Sequence, residues 1–168
     1  IPVVAFFNNK GGVGKTTLAY HLSWMFGRMG IRVVVADLDP QANLTSAFLA
    51  EDALEYLWMP DCVEGAAGST RTGPRTVFAA LEPLIRGTGD VQRPILTPIA
   101  DGVWLLPGDL RLSGFEDDLS SQWPDCLDGK ERAFRVISAF WRVLMAAAED
   151  REESTVDADT HCLAQLRH

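Results

Sequence analysis

A glycine-rich run near the start of the chain has the residue types of a loop that binds polyphosphate. Gly11, Gly12 and Gly14 can take positive φ and bring backbone N–H groups close to an anion, because no Cβ stands in the way. Lys15 would place its charge on the β- and γ-phosphates, and the Thr16 hydroxyl would be one ligand of Mg²⁺. The predicted nucleotide-binding residues are Lys10, Gly11, Gly12, Val13, Gly14, Lys15, Thr16 and Thr17.

This run departs from the strict P-loop template, which requires glycine six residues before the lysine, where the chain has Asn9. It fits instead the deviant Walker form K-G-G-x-G-K-[ST], in which a second lysine, here Lys10, precedes the glycines. On these residues the chain resembles the ParA/MinD family of bacterial P-loop ATPases. The resemblance implies ATP and Mg²⁺ as cofactors, with Thr17 on the α-phosphate. It also implies a homodimer formed through the nucleotide, in which Lys10 reaches the phosphates of the partner subunit.

Two aspartates follow an apolar stretch at residues 33–36 that has no polar alternation, which is typical of a strand buried on both faces of a parallel sheet. Asp37 and Asp39 should therefore lie at the carboxyl end of the sheet, where ligands bind in open α/β folds. The segment matches the family's D-x-D-P-Q. The resemblance implies that Asp39 orients or activates the attacking water and that Asp37 holds the Mg²⁺ shell through water. The alternative is structural, since aspartates before a proline often build turns.

From the same resemblance, the catalytic residues would be Lys10, Lys15 and Asp39, and the metal site would use Thr16, Asp37 and Asp39.

Composition bounds the class of protein. The 168 residues are 47% hydrophobic and 23% charged, enough for one globular domain with a sizeable core. The net charge of −8 and the lack of a Lys/Arg cluster disfavour direct DNA binding by this segment. Three distant cysteines, no signal peptide and no membrane-length apolar stretch predict a cytoplasmic location.

The order of predicted elements is that of an α/β protein. The pattern predicts strands at 3–7, 31–36 and 103–106, the last one after the Asp101-Gly102 turn. It predicts helices at 16–29, 44–49 with an extension to 58, 77–85 with Thr76 as cap, 110–119 with Asp109 as cap, and 130–149.

Two predicted helices carry apolar residues at helical spacing, and we expect both stripes to be buried. The stripe of the first helix is Leu18, Leu22, Met25, Phe26 and Met29, and the stripe of the last is Phe134, Ile137, Trp141, Leu144 and Ala148.

Together with the resemblance, these elements predict the three-layer sandwich of a P-loop NTPase, with a mostly parallel sheet that is incomplete because the Walker B strand and later elements are missing. The resemblance leads us to expect, after the long helix, an apolar Walker B strand ending in aspartate and then later elements. No run of four apolar residues follows Asp150. We therefore expect residues 1–150 to be the front part of a ParA-like domain, and residues 151–168 to be a polar tail that is disordered or foreign to the family.

Three functions remain open from the sequence. The first is a ParA/MinD-like ATPase for DNA partitioning or intracellular positioning, with a nucleotide-dependent dimer, slow hydrolysis and an activating partner protein. The second is a nucleotide-binding module without turnover, because no Walker B segment is recognisable. The third is a truncated fragment without function.

Overall fold

A three-stranded sheet forms the centre of the structure, a computed structural model that describes residues 2–8, 10–58 and 73–149. The strands are β1 (Val33–Ala36), β2 (Thr97–Ala100) and β3 (Val103–Leu106), in the spatial order β1-β3-β2. β1 and β3 are parallel, whereas β2 and β3 form an antiparallel hairpin. The carboxyl ends of β1 and β3 therefore lie at the same edge of the sheet, which we call the rim.

Helices cover both faces of this sheet and give the described part of the chain three layers. Val35, Val103 and Leu105 pack on one face with α1 and α2, while Leu106 packs on the other face with α4 and α5. This alternation follows from the two-residue period of a strand. The helices are α1 (Lys15–Arg28), α2 (Asn43–Phe48), α3 (Glu51–Trp58), α4 (Val77–Ile85), α5 (Leu112–Leu127), α6 (Glu131–Ile137) and α7 (139–149).

The α/β class predicted from the sequence is confirmed. Thr76 caps α4 as predicted, since its Oγ1 accepts a hydrogen bond from the Ala79 N–H at 3.1 Å. The sequence analysis did not predict the hairpin strand β2, because Pro98 cannot donate a backbone hydrogen bond and so argues against a strand. The Asp101-Gly102 turn, with Gly102 at φ 74°, could have revealed it.

The predicted strand at residues 3–7 is absent, and this prediction was wrong. All the residues from 2 to 8 are exposed, with Val4 at 72% and Phe7 at 94%. A strand is stable only beside a hydrogen-bonding neighbour, and no strand in the described ranges pairs with this segment.

The predicted buried stripe of α1 was also partly wrong, since Leu18, Met25 and Met29 are exposed. Small residues face the sheet instead. Ser23 is buried, and a Cβ on Gly27 would lie 2.5 Å from the Cγ2 of Val103. Close helix–sheet approach therefore selects small side chains and leaves the longer ones on the flank.

The last helix shows the same effect. It is divided by a turn at Ser138, and Phe134 and Trp141 are each 53% exposed, contrary to prediction. The buried positions carry alanine and valine, which allow close packing against the core. They are Ala133, Val136, Ala139, Val143 and Ala147.

Asp109 was predicted to cap a helix that starts at residue 110, but α5 begins at Leu112 and its N-cap is Arg111. The Asp109 side chain is engaged elsewhere at the rim.

Among the described residues, no helix has the length and apolar character needed to cross a bilayer.

Candidate functional site at the carboxyl rim of the sheet

The glycine-rich loop turns directly into α1. Gly12 and Gly14 adopt left-handed conformations, with φ 70° and 88°, and Gly14 is the N-cap of the helix. Gly11 does not take positive φ. The loop residues are solvent-exposed, Lys15 is half-buried, and the Lys15 Nζ donates to the Lys10 carbonyl at 3.3 Å. The two lysines predicted at the site therefore lie together, with the amine folded onto the loop backbone.

The contacts of α1 show which way this loop points. Gly27, near the end of α1, lies against Val103, the first residue of β3. Tyr20, nearer the start, contacts Phe48 of α2 with ring centroids 4.7 Å apart. Because α2 follows the carboxyl end of β1, α1 runs antiparallel to the two parallel strands. About 18 Å of helix separates Lys15 from Gly27, so the loop lies at the rim end of α1.

Asp37, the first residue beyond β1, is 3% exposed and both of its carboxylate oxygens accept hydrogen bonds. Oδ2 accepts from the backbone N–H and from the hydroxyl of Thr45, each at 2.8 Å. Oδ1 accepts from the Asp39 N–H at 3.3 Å. Burial raises the pKa of the Asp37 carboxyl above its ordinary value, although the hydrogen bonds from Thr45 and Asp39 partly oppose this rise.

Asp39 lies on the exposed side of the same turn. Its Oδ1 accepts from the Gln41 N–H at 2.9 Å, and its carbonyl accepts from the Ala42 N–H at 2.9 Å. Ala42 then takes a left-handed conformation with φ 51°, which is unfavourable for a residue with a Cβ. Among the described residues, Ala42 is the one residue other than glycine that has a positive φ, and it is fully buried. Tertiary contacts therefore hold the turn that presents Asp39 to solvent.

A second buried carboxylate at the rim was missed as a site residue. Asp109 is 3% exposed, and its Oδ2 accepts from the Thr76 hydroxyl at 3.0 Å and from Arg111 Nη2 at 2.7 Å. Arg111 also donates to Oδ1 through its backbone N–H and its Nε, and its guanidinium lies 4.6 Å from the centroid of the Phe78 ring. Burial would raise the pKa of Asp109, but the bonds and charge of Arg111, with the Thr76 bond, outweigh it and lower that pKa.

The predicted metal residues Thr16, Asp37 and Asp39 supply hydroxyl and carboxylate oxygens, which are the donors Mg²⁺ prefers. Asp37 is buried without an ion pair to any described residue, so a cation would offset its charge. No cluster of three or more metal-ligating side chains occurs within 2–8, 10–58 and 73–149. This donor set fits Mg²⁺ that keeps its waters and is carried by phosphate, rather than an all-protein cage.

The structure thus joins the predicted residues in two groups, Lys10 with Lys15 and Asp37 with Asp39. No hydrogen bond connects the two groups in the described residues. Thr16 is half-buried and Thr17 is exposed at the start of α1.

Comparison with known proteins gives consistent matches. A family model described as an AAA domain matches residues 1–137. A putative replication protein A of Rhizobium rhizogenes is 35% identical over 118 residues, which cover 70% of this chain and 25% of that protein. The chromosome partitioning protein ParA of Caulobacter vibrioides is 32% identical over 117 residues, which cover 70% of this chain and 36% of that protein.

Among solved structures, protein DIP2308 from Corynebacterium diphtheriae matches with a TM-score of 0.71 and 33% identity, covering 87% of this chain and 47% of the other. The chain therefore spans less than half the length of each of these relatives.

Proposed function

The chain belongs to the AAA-domain family, of ParA/MinD type, and from this premise we propose that it binds ATP together with Mg²⁺ at the rim. One observation carries the proposal. Gly12 and Gly14 take left-handed conformations directly before α1, and this helix starts at the edge of the sheet where Asp37 and Asp39 lie. A helix N-terminus preceded by such glycines is an anion-binding arrangement, because free N–H groups and the helix dipole point to one spot.

Each residue has a role in this proposal. The N–H groups of the loop, residues 10–17, surround the phosphates, and Lys15 neutralises the β- and γ-phosphates on leaving the Lys10 carbonyl. Thr17 hydrogen-bonds the α-phosphate. Thr16, Asp37 and Asp39 would hold Mg²⁺, which supplies charge neutralisation at the phosphates.

Hydrolysis is the second part of the proposal. Asp39, exposed beside the buried Asp37, orients the water for in-line attack on the γ-phosphate. Lys10, exposed on the loop, acts across a homodimer formed through the nucleotide. Slow turnover would reset this dimer during DNA partitioning or intracellular positioning in the cytoplasm, with an activating partner protein. The similarity to the chromosome partitioning protein ParA of Caulobacter vibrioides supports the partitioning role.

A nucleotide-binding module without turnover is the second candidate. It is favoured by residues 2–8, which are exposed and pair with no strand of the described residues. The glycine-rich loop that follows them is therefore not anchored by a strand on its N-terminal side. Precise positioning of phosphate and water demands rigid elements.

ATP titration of the parent chain and of two lysine variants tests the proposal. Lys15→Ala should weaken ATP binding at least about tenfold, because a charge-assisted contact to phosphate is lost. Lys130→Ala is the matched control, since Lys130 pairs with Asp125 at the exposed end of α5 and should leave ATP binding unchanged.

The outcomes separate the candidates. No ATP binding by the parent chain would overturn both, and binding unaffected by Lys15→Ala would overturn the assignment of the loop. Phosphate release by the parent that is lost in Asp39→Asn supports the ATPase, whereas tight binding with no phosphate release supports the module.

A further inference from the structure

Thr45 is a buried polar side chain at the rim whose hydroxyl both donates and accepts a hydrogen bond. It is completely buried in α2, and its hydroxyl donates to Asp37 Oδ2 and accepts from the Gly108 N–H, each at 2.8 Å. Its own backbone N–H donates to the same Asp37 oxygen at 2.8 Å. One side chain therefore connects the residues that follow β1 and β3 with α2.

The connection continues from the interior to the surface. Thr45 fixes the Asp37 carboxylate, whose second oxygen accepts from the Asp39 N–H at 3.3 Å. Asp39 is the residue of this series that reaches solvent. A rotation of the Asp37 carboxylate would therefore release the backbone that carries Asp39.

Gly108 also packs closely against the Asp37 carboxylate. A Cβ on Gly108 would lie 3.1 Å from the Cγ, the Oδ2 and the backbone carbonyl oxygen of Asp37. The Gly108 carbonyl in turn accepts from Trp58 Nε1 at 3.3 Å. Thr45 and Gly108 thus both restrict the space available to the Asp37 carboxylate.

We propose that Thr45 is the positioning residue of the site: its hydroxyl sets the Asp37–Asp39 pair in the geometry that receives Mg²⁺ with the nucleotide. This inference rests on the proposed function. Because Thr45 is completely buried, it would act on the metal through Asp37 and not by direct contact. Residues that orient metal ligands through hydrogen bonds change metal affinity by about 10- to 100-fold when they are replaced.

The readout is the Mg²⁺ enhancement of ATP affinity, defined as the Kd in EDTA divided by the Kd in excess Mg²⁺. Thr45→Val keeps the side-chain shape but removes the hydroxyl, and should lower the enhancement at least about tenfold while the Kd in EDTA changes little. Thr45→Ser keeps the hydroxyl, and the enhancement should stay within about threefold of the parent.

Thr76→Val is the matched control. Thr76 is also a buried threonine that donates to a buried aspartate, but Asp109 is paired with Arg111 and does not lead to Asp39. Thr76→Val should lower the free energy of unfolding without changing the Mg²⁺ enhancement of ATP affinity. A merely structural role for Thr45 would make the two valine variants behave alike.

Each outcome decides. An unchanged enhancement in Thr45→Val, an equal loss in Thr76→Val, or a lost enhancement in Thr45→Ser overturns the inference. If Thr45→Val does not unfold cooperatively, Thr45→Cys replaces it, because a thiol fits the space but is a weak donor, and its enhancement should fall. A parent chain that binds ATP without any Mg²⁺ effect overturns this inference alone, whereas a parent that does not bind ATP overturns the proposed function.

Discussion

Asp37 and Asp109 invite comparison because they occupy matching places in the fold. Each follows one of the two parallel strands, each is 3% exposed, and each accepts a hydrogen bond from a buried threonine. Arg111 pairs with Asp109, while no described cation pairs with Asp37. The pKa of Asp109 is accordingly lowered and that of Asp37 is raised. The Asp109 cluster is therefore electrostatically complete and stabilises the fold, whereas Asp37 retains an uncompensated charge that suits a cation.

Removing Asp109 from the electrostatically complete cluster should have the largest effect on stability. Asp109→Ala should lower the free energy of unfolding by about 3 kcal/mol, because Thr76 and Arg111 lose their partner. The value falls at the low end for a broken buried pair because the Arg111 side chain is 49% exposed and can be hydrated. Urea unfolding at neutral pH measures it. Asp117→Ala, at an exposed position of α5, is the control. A loss no larger than that of the control would contradict the role given to Asp109.

Gly108 lies between the two clusters, and its substitution gives the next largest effect. Gly108→Ala should cost about 1–3 kcal/mol, because the new Cβ would meet Asp37 at 3.1 Å, partly on backbone that cannot move aside. Gly114→Ala in α5 is the matched control, since nothing lies within 4 Å of its Cβ position. There the helix should gain about 0.5–1 kcal/mol. Equal unfolding free energies for the two variants would show that the rim yields more easily than the distances indicate.

The smallest expected effect is a change in the pH dependence of stability. Asp37→Asn and Asp109→Asn produce it, and they test directly whether the charges of the two aspartates are compensated differently. A carboxyl with a raised pKa contributes stability that is complete below its unfolded value, about 3.9, and is lost as the pH rises through its folded value. A carboxyl with a lowered pKa contributes stability above about 3.9 that is lost as the pH falls through its folded value. As the pH rises, Asp37→Asn should therefore gain stability relative to the parent, and Asp109→Asn should lose it.

Urea unfolding in EDTA from about pH 3 to about pH 7 measures both differences. Slopes of the same sign would remove the distinction between the two clusters.

The same comparison shows what the sequence could predict. Asp37 and Asp39 were found because a run of four apolar residues, 33–36, ends directly before Asp37. The Asp109 cluster was missed because Asp109 pairs with Thr76, 33 residues away, and only the parallel pairing of β1 with β3 brings that region to the rim. Thr45 was missed for a related reason. Its hydroxyl partner Gly108 is 63 residues distant.

The wrong predictions share a different cause. The pattern at residues 3–7 gives a strand preference but supplies no neighbour, and strand formation depends on that neighbour. The stripes of α1 and of α6 and α7 were predicted from apolar residues at helical spacing, whereas close packing places the small residues Ser23, Gly27 and Ala139 inward.

Trp58 extends the consequence of the rim hydrogen bonds to spectroscopy. Its indole N–H donates to Gly108, whose own N–H leads through Thr45 to Asp37. Indole emission responds to hydrogen bonding and to nearby charge, so we expect the fluorescence of Trp58 to change with the state of the Asp37 carboxylate. With the other four tryptophans replaced by phenylalanine, the chain would carry an intrinsic optical sensor for the Mg²⁺ binding that we propose at the rim.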